Sequence, residues 1–367
     1  MNRRKILLIG CGRTGNKLIN EMMKKDARYT GIFVNSSYND MSNLEKFNEE
    51  TNAFLFTGVN GSGKDPVKAE KYMKDDIQSL VDIITKYPLH DVITIFTSAD
   101  GGTGSGTVPR LCQTLKLVFN QKGMTNKKIN VVAVFPTIKR NDRISFKNAI
   151  RFWNKIVSIK DDIIDNILIV DNTKGDTYKE INEKVVTSIH NAYSMNGVHD
   201  EGEIDDEDAR RFNTSKGFGL ILNLDSDYKD ASLAIDKAME NSIFALPNTL
   251  SCDYIGVSLK ESDYLIDDVL SHLPDARRTI YKTYNNKHNT IVLGGCSAPQ
   301  ELIWNIKNSL EEMDRKEMQP NADDNLMIDI DDMNDIKPKT ISKEKERQVY
   351  TEDDIDNIVS ALQDLWD

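Results

Sequence analysis

Short apolar runs alternate with longer segments of helical periodicity through the first half of the chain. The apolar runs predict β-strands, and the segments with apolar residues every three or four positions predict helices. Strands of four to eight residues that alternate with helices are typical of a doubly wound parallel α/β sheet. The pattern predicts strands at residues 5–10, 31–35, 53–56, 92–98, 130–135 and 166–171, and helices at residues 16–25, 66–86, 108–121 and 144–159.

The pattern changes after residue 171. Residues 177–195 predict one long connecting helix, and the acidic residues that follow predict a loop at 200–208. A second, smaller α+β domain is then predicted, with strands near residues 220–224, 254–259 and 290–294. The resulting division is a first domain at residues 1–175, a connecting helix and acidic loop at 176–213, a second domain at 214–313 and a tail at 314–367.

The net charge of −11 is concentrated in the tail. Residues 314–367 hold 7 Lys and Arg against 16 Asp and Glu, which leaves the rest of the chain near −2. Such a body has no basic field with which to hold DNA, so any contact with DNA is predicted to be indirect, through a partner.

The tail itself is predicted to be disordered, because acidic residues dominate and large apolar residues are few. Its end breaks that trend with five apolar residues at helical spacing, which predict an amphipathic helix that docks a partner protein. The alternative is a helix that packs back on its own body. The residues are Ile355, Ile358, Val359, Leu362 and Leu365.

Composition also limits the cellular setting. No apolar run approaches the roughly 18–20 residues that a membrane span needs, and the apolar run at residues 6–9 is too short for a signal peptide. Cytoplasmic localisation and reduced thiols are therefore expected. The cysteines lie far apart and form no metal-binding spacing; they are Cys11, Cys112, Cys252 and Cys296.

The first candidate site is the glycine-rich turn at residues 10–15, GCGRTG, between a predicted strand and a predicted helix. Glycines allow a phosphate to approach the backbone, and the helix N-terminus supplies N–H donors. An NAD-dependent oxidoreductase is one reading of this motif. That reading lacks the ribose-binding carboxylate, because the second strand ends at Val34-Asn35-Ser36-Ser37.

A second turn, residues 58–66, nearly matches a P-loop and leaves open a P-loop ATPase that uses Gly63 and Lys64. Asp65, however, stands where a P-loop has a hydroxyl for magnesium, and a carboxylate there would crowd the phosphates. Pro66 suits the first turn of a helix. This loop is therefore predicted to line a nucleotide site that its neighbours mainly build.

The third turn, residues 100–107 (DGGTGSGT), is the most specific signal. It leaves a predicted buried strand and enters a helix, so its interleaved glycines and hydroxyl residues predict a concave run of N–H and hydroxyl donors. Such a run suits a di- or triphosphate.

GGTGSG resembles the phosphate-binding signature of the tubulin/FtsZ family, and the resemblance extends from Lys5 to about Met313. It implies a GTPase that binds GTP or GDP with Mg²⁺, whose ligands in this chain stay unknown. The residues that it implies in nucleotide binding are Gly12, Arg13, Thr14, Asn16, Asn35, Gly61, Ser62, Gly63, Lys64, Gly101, Gly102, Thr103, Gly104, Ser105, Gly106, Arg143, Asn172, Tyr178 and Asn182.

The resemblance also implies separate roles for five of these residues. Asn16 and Asn172 match asparagines that contact guanine, and Arg143 matches an arginine beside the ribose and phosphates. On the connecting helix, Tyr178 matches an aromatic residue that stacks on guanine, and Asn182 matches a residue that reads the base edge.

The acidic segment completes the resemblance. Glu203-Ile204-Asp205-Asp206-Glu207-Asp208 is similar to the Asn-x-Asp-x-x-Asp segment of FtsZ, which enters the nucleotide pocket of the neighbouring subunit. Asp205 and Asp208 are therefore the candidate catalytic residues, because a carboxylate that orients water beside Mg²⁺ suits phosphoryl transfer.

Several departures favour the plasmid- and phage-encoded TubZ branch of the family. Asp100 replaces a small residue before GGTGSG, Lys139-Arg140 replaces a segment with Glu, and Glu203 replaces Asn. The resemblance then implies head-to-tail filaments that segregate plasmid or prophage DNA, with a DNA-binding adaptor docked on the tail. An FtsZ-like division-ring GTPase is the alternative, and the NAD-dependent oxidoreductase is a remote one.

Overall fold

The structure, a computed structural model, describes residues 1–318. The first half of these residues forms six parallel strands whose apolar side chains are buried on both faces, apart from Ala53 and Leu55 at the sheet edge. Parallel sheets require this pattern, because the crossover helices cover both faces. The strands are β1 (Ile6–Cys11), β2 (Thr30–Asn35), β3 (Ala53–Leu55), β4 (Val92–Ser98), β5 (Lys128–Phe135) and β6 (Asn166–Asp171).

The second half adds a short hairpin and four further sheet strands. The hairpin strands are β7 (Gly197–His199) and β8 (Gly202–Ile204), and the sheet strands are β9 (Phe218–Asn223), β10 (Cys252–Leu259), β11 (Ala276–Tyr284) and β12 (Thr290–Cys296). Within residues 1–318 the ten sheet strands run in the order β11-β10-β12-β9-β6-β5-β4-β1-β2-β3. The two halves meet between β6 and β9, where the pairing is the single register Ile167↔Phe218.

The helices cover both faces of this sheet. Helix α5 packs beside α1 and reaches α6, while α2, α3 and α4 pack in series and α9 lies against α4. None of the helices within residues 1–318 is long and apolar enough to cross a membrane. They are α1 (Gly12–Lys25), α2 (Pro66–Thr85), α3 (Thr103–Gln121), α4 (Arg143–Ile163), α5 (Tyr178–Tyr193), α6 (Asp206–Asn213), α7 (Ala231–Glu240), α8 (Ile266–Ser271) and α9 (Gln300–Met318).

The predicted doubly wound α/β fold is confirmed, and the six predicted strands of the first half all form. One prediction about the second half is wrong, and one is incomplete. The supposed acidic loop at residues 200–208 contains β8 and the first turn of α6, and the predicted strand set omits β11. β11 is one of the two edge strands of the described sheet, and several of its side chains are charged and exposed, so its composition does not predict a buried strand.

The division into domains stays a prediction. The connecting helix corresponds to α5, and its predicted span of 177–195 exceeds the helix by a residue or two at each end. Helix α9 continues through Asp314 to Met318, so the predicted start of the tail falls within a helix. The predicted terminal helix lies outside the described residues.

Candidate functional site

Two helix N-termini lie together at the carboxyl edge of the parallel strands. Helix α1 follows β1 directly at Gly12, and α3 follows β4 after a short turn at Gly102. Neither has a side chain capping its N-terminus, and the six-residue α8 also lacks one, whereas side chains cap α2, α4, α5, α6 and α7. The first N–H groups of a helix have no partner within the helix, so these two ends offer free donors to an anion.

Glycines allow the two ends to approach each other. Gly12 has a φ of +73°, and a Cβ placed on it would lie 3.1 Å from the backbone nitrogen of Gly104. A Cβ on Gly104 would in turn lie 2.1 Å from Oγ1 of Thr97 and 2.8 Å from the carbonyl oxygen of Cys11. The first and third turns are therefore one surface, and side chains at these glycines would separate them.

The loop at residues 58–66 closes against the third turn. A Cβ on Gly102 would lie 2.2 Å from Oγ of Ser62 and 2.9 Å from the carbonyl carbon of Lys64. The N–H of Gly61 donates to the carbonyl oxygen of Ser36 over 2.6 Å. All three predicted glycine-rich segments thus meet in one place, which we call the cradle.

Buried hydroxyl groups line the cradle. Oγ1 of Thr103 lies 2.7 Å from Oγ of Ser36 and 3.2 Å from Oγ of Ser62, and the three residues are at most 8% exposed. The hydroxyl of Ser105 instead donates to the carbonyl oxygen of Gly101. The hydroxyl that was predicted to face phosphate is thus bonded to the backbone of its own turn, and the role of Ser105 stays a prediction.

Three predicted asparagines each carry a buried amide atom with no hydrogen-bond partner among the described residues. These atoms are Oδ1 of Asn16, Nδ2 of Asn35 and Oδ1 of Asn172, all at the carboxyl edge. Nδ2 of Asn16 donates to the carbonyl oxygen of Val34, and Oδ1 of Asn35 accepts from the N–H of Ser36. Unpaired buried amide atoms are costly, so a polar ligand that completes them fits here.

Such atoms are not confined to that edge. Asn130 and Asn166, at the other ends of their strands, each have an unpaired oxygen as well. Unpaired amide atoms alone therefore do not indicate a ligand site. They support one at the carboxyl edge because the uncapped N-termini of α1 and α3 lie there too.

The second turn is not a P-loop. Asp65 is the N-cap of α2, and its Oδ1 accepts from the N–H groups of Val67 and Lys68 at 2.8 and 3.2 Å. The helix N-terminus that a P-loop would turn toward phosphate is thus filled by a carboxylate of the chain itself. The P-loop ATPase reading fails for this reason.

The N-terminus of α4 borders the cradle. Asp142 caps this helix, and its Oδ2 lies 2.7 Å from Nζ of Lys64. Nδ2 of Asn148 donates to the carbonyl oxygen of Lys64 over 2.8 Å and makes longer bonds to those of Asp100 and Gly101. Asn148 therefore ties the second and third turns together from one position on α4.

Charged neighbours and burial shift the pKa values of Asp142, Lys64 and Asp100 at this border. The hydrogen bond from Lys64 lowers the pKa of Asp142 to about 2, and the same bond raises the pKa of Lys64. Burial raises the pKa of Asp100, against the nearby positive charge of Lys64. Lys64 thus lowers the pKa of both carboxyl groups, by a hydrogen bond to Asp142 and by its charge near Asp100.

The remaining predicted binding residues surround the cradle at larger distances. Arg143 begins α4 and forms an ion pair with Asp314 of α9, while Arg13 is mostly exposed and lies 3.7 Å from Asp40. Thr14 is half-buried in the first turn of α1. The roles of Arg13, Thr14 and Arg143 in ligand binding stay predictions.

Tyr178 and Asn182 lie one turn apart on α5 and share a face of that helix. The Tyr178 side chain is 57% exposed, so its ring is accessible to a stacking partner. Arg140 covers it instead: its guanidinium carbon is 5.3 Å from the ring centroid, and Nη1 donates to the hydroxyl over 3.1 Å.

The candidate catalytic carboxylates lie at the other edge of the sheet. A cavity of about 280 Å³ is lined by Ile6 and Val92, the first residues of β1 and β4, and by Asp206 and Glu207 of α6. The cradle follows the last residues of the same two strands. A six-residue strand spans about 20 Å. Asp205 and Asp208 lie beside Asp206 and Glu207 in the chain, so they are far from the cradle of the same molecule.

Asp205 and Asp208 bond to each other's backbone. Oδ1 of Asp205 accepts from the N–H of Asp208 over 2.8 Å, and Oδ2 of Asp208 accepts from the N–H of Asp205 over 3.3 Å. This capping box fixes the start of α6. It engages one oxygen of each carboxylate and leaves the other oxygen of each for a further contact.

Sequence reasoning missed four residues of the cradle and its border: Ser36, Arg140, Asp142 and Asn148. Ser36 stood beside a predicted residue, but nothing in its local sequence marks it as a partner of Thr103, 67 positions away. Asp142 carried a recognisable signal, since it directly precedes a helix and N-caps are often Asp.

Comparisons with known proteins agree with this geometry. The model of the tubulin/FtsZ family GTPase domain matches residues 5–175, and that of the C-terminal domain of tubulin-like protein TubZ matches residues 209–297. Together they match more than half of the chain. These matches remove the dehydrogenase reading of GCGRTG, because the same turn falls inside the tubulin/FtsZ domain.

Individual relatives extend the comparison along the chain. The chain is 25% identical over 365 residues to tubulin-like protein TubZ of Clostridium botulinum C phage, covering 98% of this chain and 97% of that protein. It is 25% identical over 238 residues to CetZ1 of Haloferax volcanii, covering 59% of this chain and 58% of that protein.

Solved structures show the same fold. The tail-truncated TubZ of Clostridium botulinum phage c-st aligns with a TM-score of 0.77 at 25% identity, covering 86% of this chain and all of that one. A protofilament of Bacillus thuringiensis serovar israelensis TubZ in its GTPγS form aligns with a TM-score of 0.69 at 16% identity, covering 86% and 93%. The chain therefore belongs to the tubulin/FtsZ family, carries the GTPase domain of that family and is similar to its TubZ branch.

Proposed function

We propose that this protein binds GTP in the cradle, assembles head to tail and hydrolyses GTP with carboxylates that the next protomer supplies. The observation that carries the proposal is the separation of the two halves of the site. The uncapped helices α1 and α3 lie at one edge of the sheet, and Asp205 and Asp208 lie at the other.

A head-to-tail contact resolves this separation. If copies stack with the same orientation, the carboxyl edge of one sheet faces the amino edge of the next. Such a heterologous contact does not close on itself, so it produces a filament. The relatives support this arrangement, because a Bacillus thuringiensis TubZ and a Haloferax volcanii CetZ2 have been solved as protofilaments with GTPγS.

The chemistry fits the residues that would meet at the contact. Backbone N–H groups of α1 and α3 neutralise phosphate charge without a side-chain base. The free oxygens of Asp205 and Asp208 would orient the attacking water, which is the main demand of phosphoryl transfer. Mg²⁺ would be held largely by phosphate oxygens and water, with the hydroxyls of Ser36, Ser62 and Thr103 as the protein groups at hand.

Sedimentation and phosphate release test the proposal together. Wild-type protein should pellet with GTP and not with GDP or ATP, and its turnover per molecule should rise steeply with protein concentration. Asp205→Asn keeps a side chain that can cap α6, so it should pellet with GTP and release little phosphate. Full turnover by dilute, monomeric protein would contradict the proposal.

The similarity to a phage TubZ supports a finer proposal, that the filament segregates a plasmid or prophage genome. The low charge of the body argues for a DNA-binding adaptor between filament and DNA, and the acidic tail is the candidate docking segment. Deleting the gene should then lower retention of the episome and leave septation intact. A block in septation with normal retention would favour a division-ring role instead.

A further inference from the structure

Buried asparagines hold the C-terminal end of α6. Nδ2 of Asn130 in β5 and Nδ2 of Asn166 in β6 each donate to the carbonyl oxygen of Asn213 over 3.0 Å. Asn130 and Asn166 are paired across the two strands, and all three residues are at most 4% exposed. Two neighbouring strands thus direct their amides at one atom, the carbonyl oxygen of the last residue of α6.

The side chain of Asn213 extends this hold to α5. Its Nδ2 donates to the carbonyl oxygen of Ala192 in α5 over 3.1 Å and to that of Ala209 in α6 over 2.8 Å. The last carbonyl groups of a helix have no partner within the helix, so a buried one needs a partner from elsewhere. At the end of α6 the parallel sheet supplies that partner.

The preceding residue anchors α6 in the second half of the sheet. Phe212 is fully buried, and a Cβ on Gly256 of β10 would lie 2.8 Å from its ring. A Cβ on Gly294 of β12 would overlap its carbonyl oxygen. The consecutive residues Phe212 and Asn213 therefore contact strands on both sides of the single pairing between β6 and β9.

Helix α6 joins this anchored end to the candidate catalytic carboxylates. It has eight residues, so it is about 12 Å long. Asp205 is the N-cap at the opposite end, and its capping box with Asp208 fixes both side chains to the helix. A tilt of about 5° at the anchored end would move Asp205 by about 1 Å, and a displacement of that size can slow a reaction about a hundredfold.

Packing alone does not require amides at these positions. Strands that are buried on both faces, as β5 and β6 are, consist mainly of Val, Ile and Leu. Oδ1 of Asn166 is buried with no hydrogen-bond partner among the described residues, and an unpaired buried oxygen lowers stability. A pair of apolar side chains would avoid that cost, so the amides have a reason other than filling the sheet.

We propose that Asn130 and Asn166 are positioning residues for GTP hydrolysis. They fix the C-terminal end of α6, and through the helix they fix the place of Asp205 and Asp208 against the nucleotide of the next protomer. The inference rests on the proposed function, because these carboxylates act across the head-to-tail contact. The cradle lies at the opposite edge of the sheet, so nucleotide binding does not depend on the two amides.

Three variants and one control test the inference. Leucine has the branching of asparagine and no donor, so Asn130→Leu and Asn166→Leu each leave one donor on the carbonyl oxygen of Asn213, and the double variant leaves none. Thr290→Val is the matched control. It removes a buried hydrogen bond, from Oγ1 of Thr290 to Oδ1 of Asn223, in which no residue of α6 takes part.

The measurements are thermal unfolding, GTPγS affinity of the monomer, pelleting with GTP and phosphate release per pelleted protomer. We expect the double variant to release phosphate about tenfold or more slowly than wild type, and each single variant about twofold to fivefold more slowly. All three should pellet with GTP and bind GTPγS within about twofold of wild type, since only the reaction step is affected. Thr290→Val should hydrolyse GTP as wild type does.

Wild-type phosphate release in both single variants would overturn the inference, whether or not the double variant folds. Loss of pelleting in a folded variant would assign the amides to assembly and would overturn it as well. Wild-type protein that neither pellets with GTP nor releases phosphate would instead overturn the proposed function, so the two failures are distinguishable.

A second background separates positioning from general destabilisation. With Asp205→Asn and Asp208→Asn already in place, no carboxylate is left for the anchor to position. Adding Asn166→Leu should then change the residual phosphate release by less than about twofold, because residues that act as a unit are not additive. A further loss as large as in the wild-type background would show that the amide acts by another route, against the inference.

Discussion

Arg143 and Asp314 form an ion pair, with 2.5 Å between Nη2 of the arginine and Oδ1 of the aspartate. Arg143 is the first residue of α4, at the border of the cradle, and Asp314 lies near the end of α9. The contact connects the segment that leads into the acidic tail with the arginine that the family resemblance assigns to ribose and phosphates. If Arg143 contacts the nucleotide as the resemblance implies, the nucleotide and α9 compete for its guanidinium.

Removing Asp314 should therefore strengthen nucleotide binding. Both side chains are more than a third exposed, so the pair is worth about 1 kcal/mol at most, which corresponds to about fivefold in affinity. We expect Asp314→Ala to bind GTP and GDP about twofold to fivefold more tightly, measured by fluorescence titration. Glu311→Ala, which removes ion pairs within α9 to Lys307 and Arg315, is the control and should leave both affinities unchanged.

Two variants distinguish the role of Asp205 as the N-cap of α6 from its proposed role in hydrolysis. Asp205→Ala should lose about 1 kcal/mol of stability together with hydrolysis, because alanine cannot accept from the N–H of Asp208. Asp205→Asn should keep the stability and still lose phosphate release about a hundredfold or more. Thermal unfolding and phosphate release on both variants check this. Normal turnover by Asp205→Asn would remove the carboxylate from the mechanism.

A methyl group at Gly104 should force the first and third turns apart. Its Cβ would lie 2.1 Å from Oγ1 of Thr97 and 2.8 Å from the carbonyl oxygen of Cys11, and the latter cannot rotate away. We expect Gly104→Ala to lose about 1–3 kcal/mol of stability, as other overpacked sites do, and to lose nucleotide binding.

Gly101→Ala is the matched comparison for stability. Its Cβ would meet only Oγ of Ser98, at 3.0 Å, and a hydroxyl can rotate. Its melting temperature should stay near that of wild type. Equal melting temperatures for the Gly104 and Gly101 variants would mean that the close approach of the two turns is not needed for folding.

The glycine-rich turns and the buried strands were predictable because their signals are local. Strands β4 and β6 have the bounds that their apolar runs predict, since both faces of each strand are buried. The edge strand β11 and the hairpin of β7 and β8 were not predictable in this way, because exposed and charged residues give no periodic signal.

The border of the cradle was hidden from the sequence for a different reason. Asn148 bonds to Lys64 across 84 positions, and Arg140 covers Tyr178 across 38. Neither residue stands in a motif, and only the order of the strands brings them together. Sequence reasoning located the glycine-rich turns and missed Asn148, the side chain that ties two of them together.

His288 should make the protein sensitive to mild acid. Burial lowers its pKa to about 4, with His190, Lys287 and Lys260 adding positive charge nearby. Its ordinary pKa is 6.5, so between pH 6.5 and about 4 the unfolded chain binds a proton that the folded protein excludes. Stability therefore falls as the pH drops through that window, and it levels off below pH 4.

Replacing this residue should flatten the dependence. We expect the melting temperature of His288→Leu to fall between pH 7 and pH 4.5 by about 2 °C less than that of wild type. His272→Leu, at an exposed position on the surface, should follow the wild-type curve. An unchanged pH dependence in His288→Leu would assign the acid sensitivity to other groups.

Two variants of Tyr178, whose ring and hydroxyl both contact Arg140, distinguish stacking on guanine from hydrogen bonding by the hydroxyl. If the ring stacks on guanine, Tyr178→Ala should weaken GTP and GDP binding equally, by about threefold to tenfold, because an aromatic stack is worth roughly 0.5–1.5 kcal/mol. Tyr178→Phe keeps the ring and removes only the hydroxyl that accepts from Arg140. It should bind both nucleotides at least as tightly as wild type, since the phenylalanine ring releases Arg140 more easily. A loss in Tyr178→Phe as large as in Tyr178→Ala would mean that the hydroxyl, and not the ring, contributes the binding energy.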